Sequence, residues 1–167
     1  MSTLKVNQIQ TTAGKPILNS TGSILQVVST STIGLGGDIS TSSAAYVNTG
    51  VSVTITPISS TSKLFVEFAG NGKFYAGAGI NAGDDGATFK IYRDGSPLNL
   101  GAGDCLLYRS DANGNNHHMP CSITHYVTAG STSSTTFSLF YCDQWGGFAY
   151  LSRDWSNNQF TVMEISA

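Results

Sequence analysis

The clearest pattern in the chain is a set of short runs in which apolar and polar residues alternate. Leu64, Val66 and Phe68 point to one side of an extended chain, because successive side chains of a strand face opposite ways. Phe65 and Glu67 take the other side, which predicts a strand that is covered on both faces. Similar runs that are expected to pair with it are Tyr46–Thr56, Ala87–Arg93, Thr135–Cys142 and Phe160–Ile165. This alternation is typical of antiparallel strands.

Turn signals separate these runs. Asp94-Gly95 lies between two apolar runs and predicts a tight β-hairpin. Pro97 is expected at the start of the return strand, where its missing N–H does least harm. Gly- and Asn-rich loops are expected at Gly77–Gly86, Asp111–His118 and Asp143–Phe148. Roughly eight strands with such spacing predict an all-β fold, an antiparallel β-sandwich that is jelly-roll-like.

The first 30 residues differ from the rest of the chain. Their apolar residues come as short pairs, without the sustained spacing of three and four residues that a helix needs. We therefore expect an extended N-terminal arm at residues 1–30, a linker at 31–43 and the β-sandwich domain at 44–167. Because such an arm buries little by itself, it is expected to pack against other chains or against a docking surface. The candidate residues for this anchoring are Leu4, Val6, Ile9, Ile17, Leu18, Ile24 and Leu25.

Charge is scarce in this sequence. Only 11% of the residues are charged, against about 25% in a typical soluble domain, and such a composition is common in extracellular and virion surface proteins. The net charge is −2 and no basic run appears, which argues against nucleic acid as a partner. No apolar run approaches the roughly 20 residues that span a bilayer, and the first residues do not resemble a signal peptide. We expect synthesis in the cytoplasm and no membrane insertion.

The cysteines and histidines are expected to be structural. Cys105, Cys121 and Cys142 are odd in number and widely spaced, so we expect them to be reduced and mostly buried. The pair at positions 117 and 118 lacks the ligand spacing of a zinc site and is expected at an exposed loop tip. His125 shares a strand face with Cys121, so it is expected to be a core histidine or to lie at a subunit contact.

The polar residues offer no catalytic set. Asp111–Asn116 superficially resembles a calcium loop, but Asn116 stands where glycine is required and Ser122 where a bidentate glutamate is required. The 10 acidic residues include no pair that suggests glycoside hydrolysis. We therefore expect a protein that is not an enzyme and that holds no metal and no cofactor.

Both tryptophans lie in one late segment of the chain. Its rings are flanked by carboxylates and amides, which is what a sugar-binding surface needs for stacking and hydrogen bonding. A sandwich core or a trimer interface uses the same residue types, and the sequence leaves these alternatives open. The candidate receptor or ligand contacts are Trp145, Tyr150, Arg153 and Trp155.

The two ends of the chain resemble bacteriophage fibre proteins. Leu4–Ile17 is similar to their opening phrase, Leu-Lys-Val-Asn-x-Ile-Gln followed by Gly-x-x-Ile. Gly22–Val28 resembles the phrase that leads into their C-terminal β-sandwich, and Phe160–Ile165 looks like its last strand. The resemblance implies a phage virion component, a tail fibre or appendage, which is usually a homotrimer with a jelly-roll-like head on a short N-terminal arm.

The expected function is therefore structural and is exercised in a virion. The arm is expected to dock on other virion proteins, three copies to associate with threefold symmetry, and the distal loops to contact a glycan or protein of the host surface. Two alternatives stay open. One is a capsid decoration protein that stabilises the shell, and the other is a free carbohydrate-binding module, which the missing secretion signal disfavours.

Overall fold

The structure, a computed structural model, describes residues 21–32, 37–75, 83–99, 103–112, 116–153 and 157–167. All helical or extended elements in this part of the chain are β-strands. They are β1 (Ile24–Ser31), β2 (Ile39–Thr41), β3 (Val47–Ile55), β4 (Lys63–Tyr75), β5 (Gly83–Arg93), β6 (Ser96–Pro97), β7 (Cys105–Ala112), β8 (Asn116–Thr128), β9 (Thr135–Cys142), β10 (Phe148–Leu151) and β11 (Gln159–Ile165).

The strands form two antiparallel sheets, called sheet I and sheet II. In sheet I, β8 pairs with one edge of β4, while β11 and β10 pair one after the other with the opposite edge. This sheet continues with β1 beside β11 and with β2 beside β10. Sheet II has the order β3, β9, β5, and both β6 and β7 pair with the remaining edge of β5. The predicted fold class, an antiparallel β-sandwich of jelly-roll-like strand order, is confirmed.

The hydrophobic core fills the space between the two sheets. Its residues alternate along β4 as the sequence predicts, with Leu64, Val66 and Phe68 fully buried. The rings of Phe68 and Phe160 meet edge to face, with centroids 6.0 Å apart. Each large apolar side chain that is buried in this way stabilises the fold by about 1.5–3 kcal/mol.

The predicted hairpin is present between β5 and β6. Asp94 and Gly95 both have positive φ angles, 49° and 83°, as a two-residue turn of the type I′ class requires. The Asp94 carboxylate accepts the hydroxyl of Thr135 at 2.6 Å and the backbone N–H of Thr136 at 2.8 Å. Pro97 lies in the short return strand β6, as predicted.

Part of the predicted arm and linker belongs to the sandwich instead. Ile24–Ser31 is β1, which pairs with β11, and Ile39–Thr41 is β2, which pairs with β10. The division at residues 30/31 and 43/44 therefore does not separate an arm from a domain. The apolar residues of β1 look scattered because this edge strand buries few of its side chains.

Two predicted loops are shorter than expected. β5 begins at Gly83 and β8 begins at Asn116, inside stretches that the sequence assigns to loops. His117 and His118 consequently lie in β8 and not at a loop tip, and the ring of His117 packs 5.3 Å from that of Phe74. The prediction fails here because the Gly- and Asn-rich strand ends carry no apolar alternation.

The buried side chain of Asn158 joins four segments of the chain at the gap between the end of β10 and the start of β11. The Oδ1 atom of Asn158 accepts the backbone N–H of Asn71 in β4 at 2.8 Å. Its Nδ2 atom donates to the Thr32 hydroxyl at 3.0 Å and to the Ser152 carbonyl at 2.6 Å. Gly70 is required beside it, since an added Cβ would lie 2.2 Å from Oδ1. The amide thus replaces the hydrogen bonds that a continuous strand would make with β4.

A buried carboxylate organises the turn between β3 and β4. Glu164 of β11 accepts the backbone N–H groups of Ile58 and Ser59 at 2.9 and 3.1 Å, and the side-chain amide of Gln26 at 2.6 Å. Burial by itself raises the pKa of Glu164, but the hydrogen bonds from Gln26, Ile58 and Ser59 outweigh it, so the pKa lies below its usual value.

We expect the Asn158→Asp variant to unfold more easily than the wild type, by about 2–4 kcal/mol, because two buried acceptors lose their donor and a charge is buried. Urea denaturation at pH 7 measures the difference. The matched control is Asn157→Asp, since Asn157 is exposed and its Oδ1 atom accepts the hydroxyl of Ser31. Equal stability of the two variants would contradict the structural role of Asn158.

The lowered pKa of Glu164 predicts an acid-sensitive contribution to stability. A carboxylate whose pKa is depressed by folding stabilises the protein above its unfolded pKa of about 4.3, and this contribution is lost as the pH falls through the folded-state pKa. The free-energy difference between wild type and Glu164→Gln should therefore be constant from pH 7 to about 5 and shrink at lower pH. Urea titrations at several pH values measure it, and a difference that persists unchanged at pH 3 would refute the assignment.

Candidate functional site

The strand registers give the sandwich two distinct ends. At one end, called the base, the N–H of Gly22 donates to the carbonyl of Ser166 at 2.9 Å, so the described chain enters beside its C-terminal residues. At the other end, called the tip, β4 finishes at Tyr75 opposite Phe148 of β10. Residue 21, which follows directly on the first 20 residues of the predicted arm, therefore lies at the end opposite to the tip.

Two aromatic rings lie on the outer face of sheet I near the tip. Phe148 and Tyr150 face outward because the alternate residues of β10, Ala149 and Leu151, fill the core. The two outer rings lie 6.3 Å apart. Lys73, opposite Tyr150 in the register, holds its Nζ atom 4.3 Å from the centre of the Tyr150 ring. This contact has the geometry of a cation–π interaction.

Arg153 and Asp38 complete this surface. Asp38 Oδ2 pairs with Lys73 Nζ at 2.6 Å, and Asp38 Oδ1 accepts the backbone N–H of Arg153 at 2.9 Å. Arg153 Nε donates to the carbonyl of Gly37 at 2.7 Å. These bonds fix the segment before β2 and the segment after β10 against each other and against β4. The tip patch is defined as Lys73, Phe148, Tyr150 and Arg153.

Trp145 lies apart from the tip patch, on the outer face of sheet II. Its ring lies 5.7 Å from that of Tyr108 and covers Gly86, where an added Cβ would be 3.0 Å from the indole. Asp143 shapes the loop, because its Oδ1 atom accepts the backbone N–H of Trp145 at 2.9 Å. Burial raises the pKa of the Asp143 carboxyl, and the backbone N–H groups of the loop offset this only in part.

The structure divides the set that the sequence groups as one ligand surface. Tyr150 and Arg153 lie together in the tip patch, and Trp145 lies on the other sheet. Trp155 falls outside the described residues. Sequence reasoning missed Lys73 and Tyr108, which come from β4 and β7 and meet these aromatic residues only through sheet pairing and packing. The sequence pattern that could have identified Tyr108 as a surface residue is its alternation with Leu107, which is buried.

A row of apolar residues crosses the outer face of sheet I near the base. The register aligns Val27 of β1 with Met163, Met163 with Phe65, and Phe65 with Tyr126 of β8. Val27 is 53% exposed and Tyr126 is 60% exposed. Phe65 is only half-buried, so the described residues cover the outer face of β4 incompletely, contrary to the expectation of two covered faces. The base patch is defined as Val27, Phe65, Tyr126 and Met163.

Two of the candidate anchoring residues lie at the base as well. Ile24 and Leu25 line a groove of about 450 Å³ together with Ile58. Ile24 and Ile58 are 58% and 63% exposed, so the groove carries apolar surface that faces solvent. The other anchoring candidates fall outside the described residues: Leu4, Val6, Ile9, Ile17 and Leu18.

The predictions for His125 and for the three cysteines are met inside the sandwich. His125 is half-buried, and its Nε2 atom lies 3.0 Å from Oδ2 of Asp104. The three cysteines are free, with Cys121 and Cys142 buried and Cys105 partly buried. These contacts give His125 a polar partner in the fold, as expected of a core histidine.

The chain matches no protein-family model, and it matches no curated protein at a significant level. Among the described residues, no group of three or more His, Cys, Asp and Glu side chains could hold a metal ion. The same part of the chain contains no helix of the length and apolar character that crossing a membrane requires.

Proposed function

We propose that the protein is a structural component of a virion, a tail fibre or appendage that assembles as a homotrimer and contacts the host surface through its tip. The observation that carries the proposal is the separation of two unlike surfaces. Apolar surface lies at the base, where the chain enters, and aromatic rings with cations lie toward the opposite end. A head that is held at one end and binds at the other needs this arrangement.

The base supports assembly through burial of apolar surface. Val27 and Tyr126 of the base patch expose more than half of their surface, and Ile24 and Ile58 of the groove do the same. Covering such residues with a neighbouring copy or another virion protein is favourable by about 25 cal/mol for each Å² of apolar area. The low charge of the chain, 11% of residues, leaves little repulsion to oppose self-association.

The tip supports the proposed binding role. Rings such as Phe148 and Tyr150 can stack on the apolar faces of sugars, and Lys73 holds a cation beside them. The hydrogen bond from Arg153 Nε to the Gly37 carbonyl holds the side chain, so less side-chain entropy is lost on binding. A glycan or a protein of the host surface is the proposed ligand class, with the strands as rigid support.

We expect light scattering of the full-length chain to give about three times the monomer mass of 17.5 kDa. Tyr126→Ser should shift the protein toward monomer, because it removes the most exposed ring of the base patch. Thr124→Ser, at an exposed position on the same face of β8, is the matched control and should leave the mass unchanged. A stable monomer at micromolar concentration would refute the trimer.

We expect Tyr150→Ala to weaken adsorption to host cells by at least about tenfold, since aromatic anchors contribute about 2 kcal/mol or more to binding. Labelled protein and cells of a susceptible host give the binding curve. Ser40→Ala is the control, because Ser40 is exposed and lies opposite Tyr150 in the register. Melting temperatures of all variants separate lost binding from lost folding. If the folded Tyr150→Ala variant binds as tightly as the wild type, the tip is not the receptor surface.

The number of copies in each particle distinguishes the proposal from its alternative. Quantitative mass spectrometry of purified virions should find roughly tens of chains for a tail appendage. Roughly hundreds of chains would assign the protein to the capsid as a decoration protein. Complete absence from particles would leave a free carbohydrate-binding module and refute the virion assignment.

A further inference from the structure

The groove at the base has apolar walls that the described residues leave uncovered. Ile24 and Ile58 line it and expose 58% and 63% of their surface. Its volume of about 450 Å³ is many times the roughly 30 Å³ that one water molecule occupies in the liquid, so the groove has room for side chains. Contiguous apolar surface of this kind is typical of a place where another segment packs.

The groove also contains a polar atom that needs a partner. The hydroxyl of Ser62 lines the groove and is buried, yet it forms no hydrogen bond with any residue that the structure describes. The backbone of Ser62 is already engaged, since its N–H donates to the Ser59 carbonyl and its carbonyl accepts the N–H of Ala129. An unpaired buried hydroxyl is costly. A segment that enters the groove can supply the missing bond with a backbone N–H or carbonyl group.

The strand that begins in this groove, β1, lies at the edge of sheet I. Among the described strands it pairs only with β11, so the backbone along its other edge faces away from the sheet. An open edge of this kind accepts a further antiparallel strand through ordinary backbone hydrogen bonds. Sheet I therefore offers a position for one more strand beside Ile24 and Leu25.

The residues just before β1 have the sequence pattern of a hairpin. The pair Ile17-Leu18 is repeated as Ile24-Leu25, and the residues between the two pairs are Asn, Ser, Thr, Gly and Ser. Two apolar runs that are separated by such a short stretch with a glycine indicate a hairpin. The described end of this stretch agrees, because the chain turns at Thr21 and Gly22. Gly22 has a φ of 85°, in the left-handed region that favours glycine.

The short connection keeps the first pair within reach of the groove. Leu18 is five residues from Ser23, which lines the groove, and five extended residues span at most about 18 Å. Pro16, just before the pair, has no N–H to donate to β1, so the run that can pair ends there. Ile9 and the apolar residues before it need a much longer loop, whose closure costs more conformational entropy.

We propose that Ile17 and Leu18 fold back on their own chain, pair with the open edge of β1 and close the base groove with their side chains. Their burial against Ile24 and Ile58 removes apolar surface from water on both sides of the contact. This inference does not depend on the proposed function. It divides the predicted arm in two, because the pair belongs to the sandwich of its own chain, while residues 1–16 and the base patch stay available to other chains.

Cross-linking of the folded full-length chain tests this docking. The double variant Leu18→Cys, Ile58→Cys is treated with a short bismaleimide, denatured and weighed by mass spectrometry. We expect a cross-link within one chain, so the product keeps the monomer mass plus one reagent whether or not the protein is a trimer. Leu4→Cys, Ile58→Cys is the matched control and should cross-link at least about tenfold more slowly. The single variants measure any reaction with the partly exposed Cys105.

Two outcomes of this experiment would overturn the proposal. A product of two or three joined chains would mean that the arm of a second copy occupies the groove. Cross-linking at position 18 that is no faster than at position 4 would mean that the arm does not dock there.

Thermal unfolding gives a second measurement that needs no reagent. Leu18→Ser should lower the thermal midpoint by roughly 3–6 °C, because a buried apolar side chain is lost. Leu18→Met keeps the apolar volume and should stay close to the wild type. Leu4→Ser should leave the midpoint unchanged. Equal midpoints for Leu18→Ser and Leu4→Ser would contradict the burial of Leu18 in the groove.

Discussion

Hydrogen bonding along both edges of β4 is the constraint on which the rest of the sandwich depends. One edge of β4 pairs with a single strand, β8. The other edge pairs with two strands that lie end to end, first β11 and then β10. The gap between these two leaves an N–H of β4 that would otherwise be buried without a partner. The Asn158 side chain accepts this N–H and also donates to Thr32, which follows β1. The outer strands β1 and β2 can then pair with β11 and β10.

The sequence predicts the scaffold well and the surface less well, and the reason is physical. Alternation identifies β3, β4, β9 and β11 because one face of each is buried, and Asp94-Gly95 identifies the hairpin because both residues must adopt positive φ. The same argument fails for β1, whose side chains are mostly exposed or half-buried. The Asn158 contacts are also invisible in sequence, since an isolated asparagine gives no sign that it will be fully buried.

The candidate surfaces show where local sequence stops being informative. Trp145 and Tyr150 are five positions apart, yet the turn after β9 sends them to opposite sheets. Lys73, distant in sequence, lies over the Tyr150 ring because β4 and β10 pair in one register. A surface that is assembled from several strands depends on this register, and a one-residue slip would turn each of its side chains inward.

The pairing of the first strand with the last has a mechanical consequence. β1 enters at the base and runs toward the tip, so a pull on the chain at residue 21, directed away from the tip, acts along the strand axis. The hydrogen bonds between antiparallel strands are perpendicular to that axis, so this force loads them in shear. The seven residue pairs between β1 and β11 then share the force together instead of breaking one after another. The sandwich therefore resists extension best along the line that joins residue 21 to the tip.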